Sequence, residues 1–362
     1  MLNSELSRAG QTFVRNAWYL AAWSSELTDR PLGLTMLGEP VVLFRRGDGT
    51  PAALEDRCIH RGLPLSAGRV RGDAIECGYH GLRFDSAGRC TLIPGQDQIP
   101  AGAFTRAYPV IEQDRCVWVW MGDAGMADPA RITRFPWMAL PGWGQTMLHA
   151  RIEANYQLVI DNLLDLSHLT FVHASTVGSP ELSDRANVRT EPTDTGVTVS
   201  RWTMDVPPAP TYARFGHGAS NVDRWQITRF IAPATLVIRN GSAMAGTGAE
   251  AGGGEARWEF IVCHGVTPET DRVTNYFWCV THDFLDGDPS GAAEFHRQCH
   301  QVINEDLAVF GAQQRMLERL PHARTMDIRY DAGPIHARRL IDRLRAAEAE
   351  TQAASRTPAH VA

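Results

Sequence analysis

Two cysteine–histidine pairs constrain this chain more than any other feature. Cys58-Ile-His60 and Cys77-Gly-Tyr-His80 are separated by sixteen residues, and glycines that permit tight turns (Gly62, Gly78, Gly81) sit among them. Two thiolates and two imidazoles brought together suit either a zinc ion or an iron–sulfur cluster in which two histidines replace two cysteines on one iron. Zinc ligand pairs usually enclose two or more residues. Cys58 and His60 enclose one, and the second pair is Cys-x₂-His rather than Cys-x₂-Cys, so the spacing favours the cluster. In that reading Cys58 and Cys77 hold one iron while His60 and His80 hold the other, at a higher potential than an all-cysteine cluster has. A fold built around such a centre must hold two loops side by side, and its task is to move electrons.

At 362 residues the chain is long for a single core, and its size predicts two domains. A hydrophobic content of 44% with 21% charged residues belongs to a globular chain rather than a disordered one. A net charge of −6 with no basic stripe argues against a nucleic-acid partner. The start MLNSELSRAG lacks a cationic segment followed by an apolar one, and no run approaches the ~18 apolar residues of a membrane span, so a cytoplasmic chain with no membrane partner is expected. Seven cysteines, an odd number, fit thiols that are reduced or metal-bound.

Residues 13–125 read as short β-runs broken by turn residues, such as Val41-Val42-Leu43-Phe44 and Cys116-Val117-Trp118-Val119-Trp120, and predict an all-β first domain. Pro129, Pro136, Pro141 and Gly142 punctuate an expected linker at 126–145. Within the second domain, 146–350, helical periodicity covers about 153–169, 291–320 and 335–350, around β-runs at 195–204, 224–239, 257–266 and 273–281. That order predicts an α+β domain with an antiparallel sheet. Six glycines between Gly241 and Gly254 suggest a mobile loop, and residues 351–362 a disordered tail.

An electron-transfer domain needs somewhere to send its electrons, and the helical stretch from Asn155 supplies candidates. Asp161, Asn162, Asp165 and His168 recur three or four positions apart and so share one face, with leucines over much of the rest. His168 and His173 are about 140° apart on an ideal helix, so both reach one metal only if the helix distorts or ends between them. Two histidines and a carboxylate form the facial triad of non-haem Fe(II) oxygenases, with open positions for O₂. Asp306 is the best third ligand, because its neighbours at three and four positions either side are Val302, Ile303, Val309 and Phe310; a carboxylate in an apolar stripe is protonated, paired or coordinating. Asp165 reads as a partner fixing the tautomer of His168. Glu305 reads as a solvated residue, and so do His296 and His300, which lack partners suited to a metal.

The spacing Cys-x-His, sixteen residues, Cys-x₂-His, together with Asp161-Asn-Leu-Leu-Asp-Leu-Ser-His168, Val172-His-Ala-Ser, Asp223-Arg-Trp-Gln-Ile-Thr-Arg-Phe and Thr267-Pro-Glu-Thr, resembles the vanillate O-demethylase oxygenase family of Rieske non-haem iron oxygenases. The likeness runs from Phe13-Val-Arg-Asn-Ala-Trp-Tyr to Asp331-Ala-Gly. It implies an N-terminal Rieske [2Fe–2S] domain and a helix-grip (START-like) catalytic domain, assembled as a homotrimer. Electrons would pass from His80 of one chain through Asp165 to His168 of the next. They would come from NAD(P)H through a flavin and iron–sulfur reductase. Asn162 is implied to lie near the iron without binding it. His264 matches a pocket histidine of dicamba O-demethylase, and Arg229 reads either as the partner of a substrate carboxylate or as an ordinary outward-facing strand residue, since a strand alternates faces. The activity implied is that of a monooxygenase using O₂ to convert a small methoxylated aromatic acid to a phenol and formaldehyde. Ring cis-dihydroxylation or methyl hydroxylation, an electron carrier with the cluster alone, and a helix-grip binding protein are the alternatives.

Overall fold

The computed structural model describes residues 13–285 and 287–356, in two compact units. One comprises residues 13–134 with 267–270, and the other 135–266 with the described residues from 271 onward.

The first unit is all β. Its strands are β1 (Trp18–Trp23), β2 (Leu32–Met36), β3 (Glu39–Arg45), β4 (Pro51–Glu55), β5 (Arg69–Arg71), β6 (Ala74–Glu76), β7 (Arg83–Asp85), β8 (Cys90–Leu92), β9 (Ala107–Tyr108), β10 (Val110–Gln113) and β11 (Cys116–Trp120). They form a three-stranded sheet, β1-β11-β10, and two four-stranded sheets, β2-β3-β4-β9 and β5-β6-β7-β8. Strand β11 is buried at every residue, as its unbroken run of apolar side chains requires. The β2–β3 hairpin closes through Leu37 and Gly38, both at positive φ, the two-residue turn whose twist matches paired strands. Val42, Phe44, Leu54, Ile75 and Phe84 pack in one cluster that also takes in Cys58 and Cys77, so both cysteines belong to the core of the unit.

The second unit is built on a seven-stranded antiparallel sheet ordered β12-β18-β17-β16-β15-β14-β13. The strands are β12 (Gly144–Ile152), β13 (Asn187–Pro192), β14 (Gly196–Val206), β15 (Val222–Ile231), β16 (Thr235–Met244), β17 (Trp258–Pro268) and β18 (Thr274–His282). The single run expected at 224–239 is two strands, because Ala232-Pro233-Ala234 interrupts the ladder. The helices that matter for the site are α1 (Tyr156–Leu164), α2 (Leu169–Val172), α3 (Glu181–Asp184), α4 (Pro289–Arg319) and α5 (Ala332–Arg356).

Gly241 does not open a mobile loop but pairs within β16, opposite Trp225 and Glu259. A Cβ there would come within 2.1 Å of the Trp225 ring, so glycine lets the indole pack flat on the strand. Residues 351–356, expected to be disordered, continue α5; residues 357–362 of that tail lie outside the described residues.

Candidate active site

The two cysteine–histidine loops repeat one backbone design. The Cys58 N–H donates to the Leu63 carbonyl (2.8 Å) and the Gly62 N–H to the Cys58 carbonyl (2.9 Å); the Cys77 N–H donates to Leu82 (2.8 Å) and Gly81 to Cys77 (3.1 Å). Gly62 and Gly81 turn each loop at φ near +74° and +73°. The result is two knuckles facing each other, with Cys58 and Cys77 buried and the exposed His60 and His80 rings 4.5 Å apart. Burial pushes the Cys58 thiol up, and the Cys77 sulfur beside it adds to the rise. A pair of soft donors inside and a pair of imidazoles at the surface is the donor set of a histidine-ligated [2Fe–2S] cluster.

The helical stretch behind the second site breaks twice. Helix α1 is capped by Asn155, whose side chain accepts from the Gln157 N–H, and it stops at Asp165, whose carboxylate accepts from the Ser167 N–H at 3.0 Å and starts a new turn. That turn leads through His168 into α2, which ends at Val172, so His173 stands just past a helix end. The interruptions bring the two imidazoles together at a ring separation of 5.3 Å, as their spacing demanded. Asp306 meets them from α4: its Oδ1 lies 3.2 Å from His173 Nε2 and 3.6 Å from His168 Nε2, and one donor atom from each of the three residues falls within 4.8 Å of the others. The buried His173 Nε2 makes no hydrogen bond, because its contact with Asp306 lacks the geometry. The other ring nitrogens are occupied, His168 Nδ1 by the Asp165 main-chain carbonyl (2.7 Å) and His173 Nδ1 by Glu305 Oε2 (2.7 Å). Both Nε2 atoms are thereby left as free donors on the side of the Asp306 carboxylate, and the three residues fit a metal of the facial-triad kind. Burial pushes His168 down. For His173 burial acts the same way, but Asp306 and Glu305 outweigh it.

Several sequence expectations change in the light of these contacts. Asp161 does not face the triad, because the break at Asp165 ends the shared face; it pairs with Arg338 of α5. For Asp165, the main-chain carbonyl, not the carboxylate, orients His168, while the carboxylate lies 3.5 Å from Arg201. Glu305 is not a free solvated residue but the acceptor for His173, braced by Gln301 Nε2 at 3.0 Å. Its position beside Asp306 is the only signal in the sequence that could have found it. His296 and His300 are half-buried rather than solvated: His296 Nε2 bonds His282 Nε2 (3.0 Å) and His300 Nε2 bonds Thr146 (2.8 Å).

An apolar cavity opens on the triad, walled by Ile238, Phe260, Val262, Trp278, Val280 and Phe295. Asn162 lines it and donates to Asp306 Oδ1 at 3.3 Å, leaving its own Oδ1 buried and without a partner. His264 lines it from β17, with Nδ1 2.8 Å from the Tyr276 hydroxyl and Nε2 unpartnered; burial pushes it down to about 3, so the ring is neutral. Asn240, which sequence reasoning missed, lines the cavity from the neighbouring strand. Arg229 is the opposite case. It is exposed and lies on the other face of β15 from the cavity, since strand residues alternate and Thr228, not Arg229, pairs with the lining residue Ile238.

Comparison with known proteins agrees with both halves. Residues 17–109 match the Rieske [2Fe-2S] domain model, and residues 152–347 match the vanillate O-demethylase oxygenase C-terminal domain model. The vanillate O-demethylase oxygenase subunit of Pseudomonas sp. strain HR199 is 39% identical, over 93% of this chain and 96% of its own. The toluene-4-sulfonate monooxygenase system iron-sulfur subunit of Comamonas testosteroni is 37% identical, over 93% and 98%. The crystal structure of dicamba monooxygenase bound to 3,6 dichlorosalicylic acid superposes with a TM-score of 0.87 at 32% identity, over 93% of this chain and 99% of that one.

Proposed function

The chain belongs to the vanillate O-demethylase oxygenase family of Rieske oxygenases, and from that premise we propose that it removes the methyl group of a small methoxylated aromatic acid. Overall, an aryl methyl ether, O₂, two electrons and two protons become a phenol, formaldehyde and water. The observation that carries the reading is the triad His168, His173 and Asp306 at the wall of an apolar cavity sized by aromatic side chains. These three residues would hold ferrous iron, and Cys58, His60, Cys77 and His80 the cluster; when bound, the iron supplies O₂ activation and the cluster single electrons.

The chain's own residues supply orientation and dryness. Phe260, Trp278 and Phe295 offer flat apolar surface to a ring and keep water from the reacting carbon. His264, held by Tyr276, turns its free Nε2 to a polar substituent as a neutral group. Asn162 steadies the Asp306 carboxylate. Asp165, at a bend of the chain 19% exposed in its side chain, is accessible enough to pass an electron from a partner's His80 in a homotrimer. A separate reductase delivers the electrons, and the setting is the cytoplasm. No helix among the described residues is long and apolar enough to cross a membrane.

The test is product analysis with iron counting. Holoenzyme supplied with a surrogate reductase and a methoxybenzoate should contain three irons per chain and release formaldehyde, with His168→Ala keeping the cluster spectrum and losing turnover. A ring diol in place of formaldehyde refutes the demethylation. A benzylic alcohol from p-toluenesulfonate, the substrate in the name of the Comamonas relative, without any demethylation would favour methyl hydroxylation instead.

A further inference from the structure

Two arginines lie buried on the face of the sheet that closes the cavity. Arg201 of β14 and Arg224 of β15 are each 2% exposed. Arg201 pairs with Gln226, and Arg224 with Thr203, so the two guanidinium groups stand diagonally across adjacent strands on one face. The face is that of the cavity, because Gln226 pairs in turn with the lining residue Asn240; the two arginines and Gln226 stand beside that lining and are not themselves part of it.

Their partners differ. Arg201 has a carboxylate 3.5 Å away, Asp165 Oδ1, and donates to the Leu182 carbonyl at 2.8 Å. Arg224 donates to the Val177 carbonyl (2.7 Å) and its guanidinium lies 4.0 Å from the Tyr212 ring centre, but among the described residues it has no carboxylate, and its Nε and Nη1 have no hydrogen-bond partner. Both amide atoms of Gln226 are buried without a partner as well. A guanidinium cannot shed its proton to escape such a setting, and a buried cation without a counter-charge is costly. Two buried cations facing one carboxylate therefore call for an anion. Val177, which accepts from Arg224, and Thr211, next to the ring beneath it, both line the cavity.

We propose that Arg224, with Gln226 and Asn240, seats the acid group of the aromatic substrate, a carboxylate or sulfonate, and so selects aryl anions over neutral arenes. This rests on the demethylation reading for the identity of the cavity, and it moves the role expected of Arg229 five residues along the same strand, to the inward face. Arginine suits the task because its planar donor set matches the oxygens of such groups.

The test measures binding and needs no turnover. Calorimetry on the iron-loaded holoenzyme with benzoate and p-toluenesulfonate, against benzamide and p-toluenesulfonamide, should show the acids held at least about tenfold tighter, a factor that one charge-assisted contact supplies. Arg224→Gln should erase that preference by weakening the acids alone, and Arg224→Lys should restore part of it. Equal affinity of the unmodified enzyme for acid and amide overturns the proposal whether or not the variants fold. So does an acid preference that persists in Arg224→Gln, or inorganic sulfate that binds through Arg224 without competing with benzoate. An Arg224-dependent acid preference in an enzyme that releases no formaldehyde refutes the demethylation and leaves this site standing.

Discussion

Removing the Glu305 carboxylate should loosen the iron while leaving the rest of the molecule intact. Glu305 Oε2 accepts from Nδ1 of His173 at 2.7 Å, and the His173 side chain is only 1% exposed, so this carboxylate is the acceptor that fixes the ring. The bond holds the imidazole in the tautomer whose Nε2 is unprotonated and free to bind a metal. Hydrogen bonds to a charged acceptor contribute ~1.5–3 kcal/mol, and outer partners of metal histidines typically account for about 10–100-fold in metal affinity, equivalent to ~1.4–2.8 kcal/mol. Glu305 is itself 27% exposed and shares its other oxygen with Gln301, which places the effect in the lower half of that range. Glu305→Gln, which keeps an acceptor and loses the charge, should weaken Fe(II) binding about tenfold, and Glu305→Ala about thirtyfold. Competition with a ferrous chelator measures the affinity, and the visible absorbance of the cluster on the same sample reports whether the β unit is intact. Iron affinity within twofold of the unmodified protein in Glu305→Ala would refute the argument that this carboxylate orients the ligand.

Three further outcomes follow from particular contacts. His264 binds fewer protons folded than unfolded, because burial pushes it down to about 3; its contribution to stability is present above about pH 6.5 and is lost as pH falls toward 3, amounting to ~2 kcal/mol between pH 6.5 and 5. Melting curves of His264→Asn should therefore fall less steeply over that interval than those of the unmodified protein, and parallel curves would contradict the assignment. Asp161→Asn removes the charge facing Arg338 where both side chains are under a fifth exposed, and should destabilise the α1–α5 packing by on the order of 3 kcal/mol, read as a lowered melting temperature. Arg229→Gln changes an exposed residue on the outer face and should leave kcat/KM within about twofold, whereas a tenfold loss would place the side chain in the substrate path.

Some of this was legible in the sequence because the chemistry is local. The cysteine–histidine loops need only short spacings and two glycines at positive φ, and the paired knuckles follow from them. His168 and His173 could be read as convergent only through a helix that ends between them, and α2 ends at Val172. Asp306 betrayed itself as a carboxylate in an apolar stripe; it is buried with Ile303 and Phe310, although Val309 of that stripe is exposed.

What only the tertiary structure decided are the matters of facing. Nothing local says that Arg224 and not Arg229 turns inward, since both sit on one strand with opposite parity, and the choice is made by how β15 pairs with β14 and β16. Glu305 looked like a solvated neighbour of a ligand until α4 docked against the residue that follows α2. Asn240, His264 and the walls of the cavity come from separate strands, and their convergence depends on register across a sheet. The donors of the two metal centres are thus written in short spacings along the chain, whereas the groups that orient them and choose a substrate are set by long-range pairing, because a strand offers two faces and only its neighbours decide which one is covered.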